Sequence, residues 1–248
     1  MQEELYDELR RIEDVHWWLT TRRSILLQFL TTVFRTFLSS PLVLDCGSAT
    51  GMLAKHLHSK ARLVGLDCSV KGVESSADLK VGAFVQAKAE YLPFLPHTFD
   101  VVCAFDLLEH LDDDGEALRM MRQVLKPDGY LLVSVPAYRF LWGKLDDAAH
   151  HKRRYTRRDL RNKLTASRFV LEKATYFNCL LFPLVLLVRL CERATSRLRP
   201  RNAHSDFELA PPGSINNLLG KVFRLELPYL RHFNFPFGGS ILCIARKT

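Results

Sequence analysis

The sequence predicts an α/β fold around a doubly wound sheet, and three features lead there. Leu42, Val43 and Leu44 form an apolar run without polar alternation, as a parallel strand covered on both faces requires. That run passes directly into Asp45-Cys46-Gly47-Ser48-Ala49-Thr50-Gly51 and a helical stretch from Met52 to Leu57, an order of strand, tight turn and helix that aims helix amides at a ligand. Further strand-like runs follow over Arg62 to Leu66, Ala83 to Gln86, Phe99 to Phe105 and Tyr130 to Val135. A helix over Ala117 to Leu125, stopped by Lys126-Pro127-Asp128-Gly129, stands just before the last of them.

A chain of 248 residues can bury one substantial core, and a single domain is expected: an N-terminal helical cap (1–38), a core sheet (39–177), a helical insertion (178–237) and a last strand (238–248). Its 48% apolar and 25% charged residues exclude a disordered chain. The net charge of +8 favours anionic partners: a phosphate-bearing substrate, an acidic membrane surface or nucleic acid. The six cysteines show neither C-x-x-C pairing nor a compact scaffold pattern, so no disulfide framework and no metal centre is expected, and a cytoplasmic, reducing setting is. Met1 to Arg10 is too acidic and polar for a signal peptide, so the N-terminus reads as mature protein.

Four segments in order carry a resemblance. Asp45-x-Gly47-x-Ala49-x-Gly51 resembles motif I of class I S-adenosylmethionine (SAM) methyltransferases, with Ala49 in place of the middle glycine. Asp67 ends the second strand sixteen residues beyond Gly51, Ala87-Lys88-Ala89-Glu90-Tyr91-Leu92-Pro93-Phe94 resembles the family's adenine-contacting segment, and Leu125-Lys126-Pro127-Asp128-Gly129 precedes Leu131-Leu132-Val133-Ser134-Val135-Pro136. The likeness covers Leu42 to Pro136 and is closest to bacterial quinone-biosynthesis-like methyltransferases. It implies a Rossmann-like sheet of seven strands, the last antiparallel, with an N-terminal helical cap and a helical insertion before that strand. It also implies SAM as cofactor.

The implied cofactor contacts are Asp45, Cys46, Gly47 and Gly51 at the turn, Asp67 and Cys68 at the second strand tip, Ala89 and Glu90, Phe105, and Arg22 near the cofactor's carboxylate. The chemistry agrees in part. SAM carries an ammonium and a sulfonium, which suit an acid such as Asp45, and an acid at the second strand tip can accept from both ribose hydroxyls; Asp67 could equally cap a helix from Val70. Family members usually have Asp where Lys88 stands, so Glu90 or a backbone carbonyl has to serve the adenine amino group. The segment Asp106-Leu107-Leu108-Glu109 lacks the Asn/Asp-Pro-Pro-aromatic pattern of enzymes that methylate amines of bases.

Residues 2 to 14 carry Leu5, Leu9 and Ile12 at roughly helical spacing, and a second helix is expected over Leu19 to Phe37. Trp17 and Trp18 between them cannot both face one core, so at least one faces a cleft or an interface; a lid over SAM, with Arg22 or Arg23 at its carboxylate, is the functional alternative to simple packing on the sheet. The loop after the fifth strand leaves beside the cofactor, which makes Trp142, Arg154 and Tyr155 candidates to meet the acceptor, as is His110 in the segment leaving the C-terminal end of the fourth strand. The resemblance to an Asp-x4-His-x-Arg-Arg-Tyr-Thr pattern assigns Asp146 and His151 as the orienting acid and the base, since an imidazole can take a hydroxyl proton near neutral pH. The bland alternative makes His151 a loop-holding residue.

At helical spacing Arg154, Arg157, Arg158 and Arg161 fall on one side and form a basic stripe, which beside the active cleft would suit a phosphate, a carboxylate or an anionic lipid, unless it is simply a solvated helix face. A helix is expected from Thr156 to Ser167, a strand from Phe169 to Phe177, a loop or disordered segment from Asn202 to Gly213, one helix from Ser214 to Leu230 and the last strand from Gly239 to Arg246. Cys179 to Val188 is apolar but, at about 15 Å as a helix, spans only half of a bilayer core. With the arginines that follow, residues 179–201 could lie on the inner membrane face or cover the acceptor pocket. The expected function is methyl transfer to a small-molecule acceptor, anionic and lipid-linked ones included, most simply at a hydroxyl. The rivals are a nucleic-acid or protein methyltransferase and a non-catalytic protein of the same fold that binds a membrane or partner.

Overall fold

The computed structural model describes residues 3–195 and 213–248, with side chains over 6–194 and 213–248. Helices α1 (Glu3–Ile12) and α2 (Trp17–Phe34) precede β1 (Leu42–Cys46), α3 (Met52–Leu57), β2 (Arg62–Asp67), α4 (Val70–Ala77) and β3 (Ala83–Gln86). Then come β4 (Phe99–Phe105), a 3-10 turn at Leu108–His110, α5 (Asp114–Val124), β5 (Leu125–Pro136), α6 (Lys144–Ala148), α7 (Arg157–Ala166) and β6 (Phe169–Phe177). The chain closes with α8 (Phe182–Thr195), α9 (Gly213–Arg224), α10 (Leu227–Leu230) and β7 (Ser240–Lys247).

The sheet order is β3-β2-β1-β4-β5-β7-β6, parallel throughout except that β7 runs antiparallel to β5 and β6. Successive side chains of a strand point to opposite faces, and both faces here are covered. Leu44, Cys46, Val102, Ala104, Leu131 and Val133 meet α5 and α7 on one side through Ala117, Leu118, Met121, Leu160 and Leu164. Val43, Val101, Cys103 and Leu132 meet α2, α3 and α9 on the other through Ile25, Leu26, Phe29, Leu53, Leu57 and Phe223. That two-sided burial is why these strands read as unbroken apolar runs.

Three expectations are corrected. The Lys126–Gly129 turn does not separate helix from strand: β5 starts at Leu125, paired with Phe99, and the register then jumps so that Tyr130 pairs with Val101, leaving the turn as a bulge with Asp128 at φ 62°. The helix expected over Ser214 to Leu230 breaks after Arg224, because Pro228 lacks an N–H and its ring excludes the carbonyl four residues earlier. The basic stripe does not include Arg154, which precedes α7 and points elsewhere; Arg157 lies over the Tyr176 ring at 5.7 Å. The expected loop over 202–212, together with Arg197, Arg199 and Arg201, lies outside the described residues.

Candidate active site

The parallel strands β1, β2 and β4 deliver their C-terminal ends to one edge of the sheet, and a cavity of about 810 Å³ opens there, roofed by α1, α2 and α8. The strand order reverses between β1 and β4, the position at which such sheets bind ligands. Gly47 and Gly51 adopt φ of 78° and 74° in the turn after β1, and Ala49 between them sits at 46°, an unfavourable left-handed conformation for a residue with a Cβ. Hydrogen bonds compensate: Gly47 N and Ser48 N donate to Leu66 O at 2.7 and 3.0 Å, and Ala49 N donates to Asp67 Oδ2 at 3.0 Å.

Asp45 and Asp67 both line the cavity. Asp67, 5% exposed, accepts from Tyr6 Oη at 3.0 Å and Ser69 N at 2.9 Å in addition to Ala49 N, while Ser69 and not Asp67 caps α4. Asp45 has no hydrogen bond or ion pair to its carboxylate among the described residues. Burial, with the Asp67 carboxylate beside it, raises Asp45 to about 7 against the opposing pull of Arg22. Two acids on one hollow, one of them held up by burial and by its acidic neighbour, fit a ligand with a hydroxylated sugar at one end and a cation at the other. Gly47 leaves the room: a Cβ there would lie 3.2 Å from Leu107 Cδ1.

The roof was only partly foreseen. Trp18 and Arg22 of α2 line the cavity, and the Arg22 guanidinium lies 5.5 Å from the Trp18 ring. Arg22 Nη2 is bound to Asp106 at 2.6 Å and to Ser134 Oγ at 3.3 Å, which in turn donates to Asp106 Oδ1 at 3.0 Å. Its Nε is buried without a partner, so the guanidinium keeps one donor for an incoming anion. Arg23 pairs with Asp14 at 2.7 Å. Helix α1 is strapped over the turn: Thr50 donates to Glu13 at 2.5 Å and Lys71 to Asp7 at 2.6 Å.

Cys68, Lys88, Ala89, Glu90 and Phe105 line the same cavity, as do His110, His151 and Arg154. His151 Nδ1 is 2.8 Å from Asp146 Oδ1, so with that nitrogen donating, Nε2 carries the lone pair. Asp146 is fully buried and is also gripped by Arg154 Nε and Nη2, both at 2.8 Å, and by Gly143 N at 2.8 Å. Burial alone would raise its carboxyl, but the bonds from His151 and Arg154 outweigh it and hold Asp146 at about 2. His110 meets His151 edge to face at 4.6 Å, and burial, with His151 alongside, pushes His110 down to about 4.

Four expected contacts fall away from the cavity. Cys46 points into the sheet core, where burial raises its thiol. Gly51 closes the turn through a bond to Ser48 O, and a Cβ on it would lie 2.7 Å from Leu79 Cδ1. Tyr155 is 2% exposed in the core, its hydroxyl donating to Asp114 Oδ2 at 2.7 Å. Trp142 lines an adjoining basic hollow, which shares His151 and Arg154 with the cavity, and donates to Asp147 Oδ1 at 2.9 Å. In exchange the fold brings in Tyr6, Asp106 and Glu109, which sequence reasoning did not assign. The acids Asp106 and Glu109 at the tip of a central strand were a visible signal; nothing local marks Tyr6.

Residues 44–133 match the profile of a family described as a methyltransferase domain. The zebrafish mitochondrial protein named arginine-hydroxylase NDUFAF5 is 37% identical over 103 residues, 40% of this chain and 31% of that protein. The ubiquinone/menaquinone biosynthesis C-methyltransferase UbiE of Cellvibrio japonicus is 38% identical over 105 residues, 37% of this chain and 41% of that one. The chain thus spans well under half the length of these two curated relatives. A solved SAM-dependent methyltransferase from Thermotoga maritima superposes with a TM-score of 0.59 over 99% of this chain and 97% of its own, at 17% identity, which is likeness of fold.

Proposed function

We propose that the chain is a class I SAM-dependent methyltransferase and that it transfers the SAM methyl group to a small-molecule acceptor at a hydroxyl oxygen. The observation that carries this is one cavity with two chemically distinct ends: Asp45 and Asp67 at the strand tips, and His151, oriented by Asp146, beside α8. Asp67 with Tyr6 would take the ribose hydroxyls and Asp45 the amino-acid ammonium, with the spare Arg22 donor left for the carboxylate. When bound, SAM supplies an electrophilic methyl on sulfonium, so the protein's part is alignment and proton removal. Held geometry can supply about 7–11 kcal/mol and a base a factor of roughly 10²–10⁴. His151 Nε2 is the lone pair positioned to accept the hydroxyl proton, and Arg154 fixes Asp146 instead of the acceptor.

Helix α8 supports an apolar acceptor: Leu184, Val185 and Val188, with Leu181 just before the helix, line the cavity, while Leu187 and Leu190 are more than half exposed. Among the described residues no helix is long and apolar enough to cross a membrane. We read the exposed face of α8, with Leu187, Leu190 and Arg193, as a peripheral lipid contact through which a lipid-linked acceptor could enter. The name of the UbiE relative points to carbon methylation, and the base distinguishes little between a hydroxyl and a phenol-activated ring carbon. The test is turnover of labelled SAM with hydroxylated acceptors, with the product identified by NMR. A methoxy signal is expected, and a C-methyl signal would move the acceptor atom to carbon. His151→Ala is expected to keep SAM affinity and lose roughly 10²–10⁴ in kcat; unchanged turnover would remove His151 from the reaction.

A further inference from the structure

The basic hollow next to the cavity, about 630 Å³ in volume, is lined by Trp142 and the cations Arg139, Lys152, Arg153 and Arg193, with His151 and Arg154 on the wall it shares with the cavity. Among the described residues no Asp or Glu lines it. Three parts of the chain build it: the 3-10 turn at Arg139–Leu141, the loop between α6 and α7, and the last turn of α8. Arg193 Nη2 donates to Phe140 O at 2.7 Å and so ties α8 to that turn. Cations gathered in a concavity repel one another and focus a positive potential. Some of this charge is spent: Arg154 on Asp146, and Arg153 on Asp114 at 3.3 Å and on the carbonyls of Leu111 and Asp112 at 3.0 Å. The rest is not. Lys152 meets Asp112, whose side chain is 91% exposed, a pair that water makes weak. The Arg139 side chain has no hydrogen bond or ion pair among the described residues.

We infer that this hollow seats a phosphoryl group of the acceptor, so that the substrate is a phosphate or diphosphate ester whose methylated hydroxyl lies close to its phosphorus. A phosphate carries a charge of about −1.5 to −2 at neutral pH on three accepting oxygens, and cations from several directions can answer it at once. A lone carboxylate is filled by one guanidinium fork and would leave the other cations unanswered. The shared wall sets the order of groups along the substrate. His151 meets the hydroxyl on the cavity side, and Arg139 and Lys152 meet the phosphoryl oxygens beyond it. Helix α8 runs past both, with Leu184, Val185 and Val188 on the cavity and Arg193, little more than a turn further on, at the hollow. An apolar tail and a charged head can therefore lie along one helix. Trp142, its Nε1 committed to Asp147, brings an apolar ring to the carbon atoms next to the phosphate.

This inference deepens the acceptor half of the proposed function and rests on it only for the hydroxyl at His151. The test titrates full-length protein, without cofactor and at low ionic strength, with inorganic pyrophosphate and with dodecyl phosphate, followed by calorimetry. One pyrophosphate per chain is expected. Arg139→Gln and Lys152→Gln, both at exposed side chains, are each expected to weaken it roughly 10-fold. Arg158→Gln, exposed on α7 and outside the hollow, removes the same charge and is expected to leave the affinity unchanged. Dodecyl phosphate binding at least as tightly as pyrophosphate supports the site with a lipid-borne phosphoryl group, and weaker binding supports it with a free phosphate ester. No saturable binding of either probe, unchanged affinity in Arg139→Gln and Lys152→Gln, or equal weakening by Arg158→Gln overturns the site. S-adenosylhomocysteine is titrated into every variant, so that retained affinity reports an intact fold. Its failure to bind wild type overturns the proposed function and leaves the pyrophosphate result standing.

Discussion

With Asp45 as the proposed partner of the cofactor's ammonium, cofactor affinity should depend on pH, with a sign and size that follow from the burial of that acid. Asp45 is held at about 7, against an ordinary carboxylate near 4, by burial and by Asp67. A carboxyl raised in the folded state binds its proton more tightly there than in the unfolded chain. Its contribution to the stability of the ligand-free protein is therefore full at low pH and is lost as pH climbs from about 4 to about 7. A bound ammonium reverses this, because it favours the ionised form and expels the proton. At pH 5.5 roughly 3% of Asp45 is ionised and at pH 8 roughly 90%, so affinity should rise about 30-fold between them, or about 2 kcal/mol. Calorimetric titration of S-adenosylhomocysteine across this range measures it, and buffers of different ionisation enthalpy should show nearly one proton released on binding at pH 6. Asp45→Asn is expected to bind weakly and with little pH dependence. A flat wild-type profile without proton release would refute this placement of charge, as would an equal slope in the variant.

Two further expectations concern the frame of the site. Ala49→Gly removes a Cβ at φ 46°, a relief of about 1–2 kcal/mol against about 0.5–1 kcal/mol of lost chain stiffness. The denaturation midpoint should stay level or rise slightly, and a fall worth more than about 1 kcal/mol would mean that the methyl packs usefully. Tyr155→Phe takes a buried donor from Asp114, which keeps Lys163 at 2.6 Å. It should cost about 1–3 kcal/mol of stability while leaving the KM for the acceptor unchanged, and a KM effect without a stability effect would return Tyr155 to the substrate.

Much of the cofactor half was legible because it is local in sequence. Leu42 to Gly51 must extend and then turn tightly whatever lies around it, and Asp45 and Asp67 come at the tips of strands whose apolar runs announce them. Parallel pairing of β1 with β2 then brings the two acids to one edge. The single departures, Ala49 and Lys88, could be read as departures, but how the turn absorbs a Cβ could not.

The acceptor half was less legible, for a physical reason. Which face a residue of an irregular segment presents has no period to betray it. Asp146, His151 and Arg154 lie in one short stretch, yet their shared bonding depends on how α6 and the following loop fold back on themselves. Tyr155, one residue further, turns to the core. Tyr6 meets Asp67 across sixty-one positions, and Glu109 is buried with neither carboxylate oxygen partnered among the described residues. By itself the sequence determined the strand-turn-helix frame, the two strand-tip acids and the class of fold. Only the tertiary structure decided which side chains share the hollow, because long-range packing, not local propensity, orients groups that lie outside helices and strands.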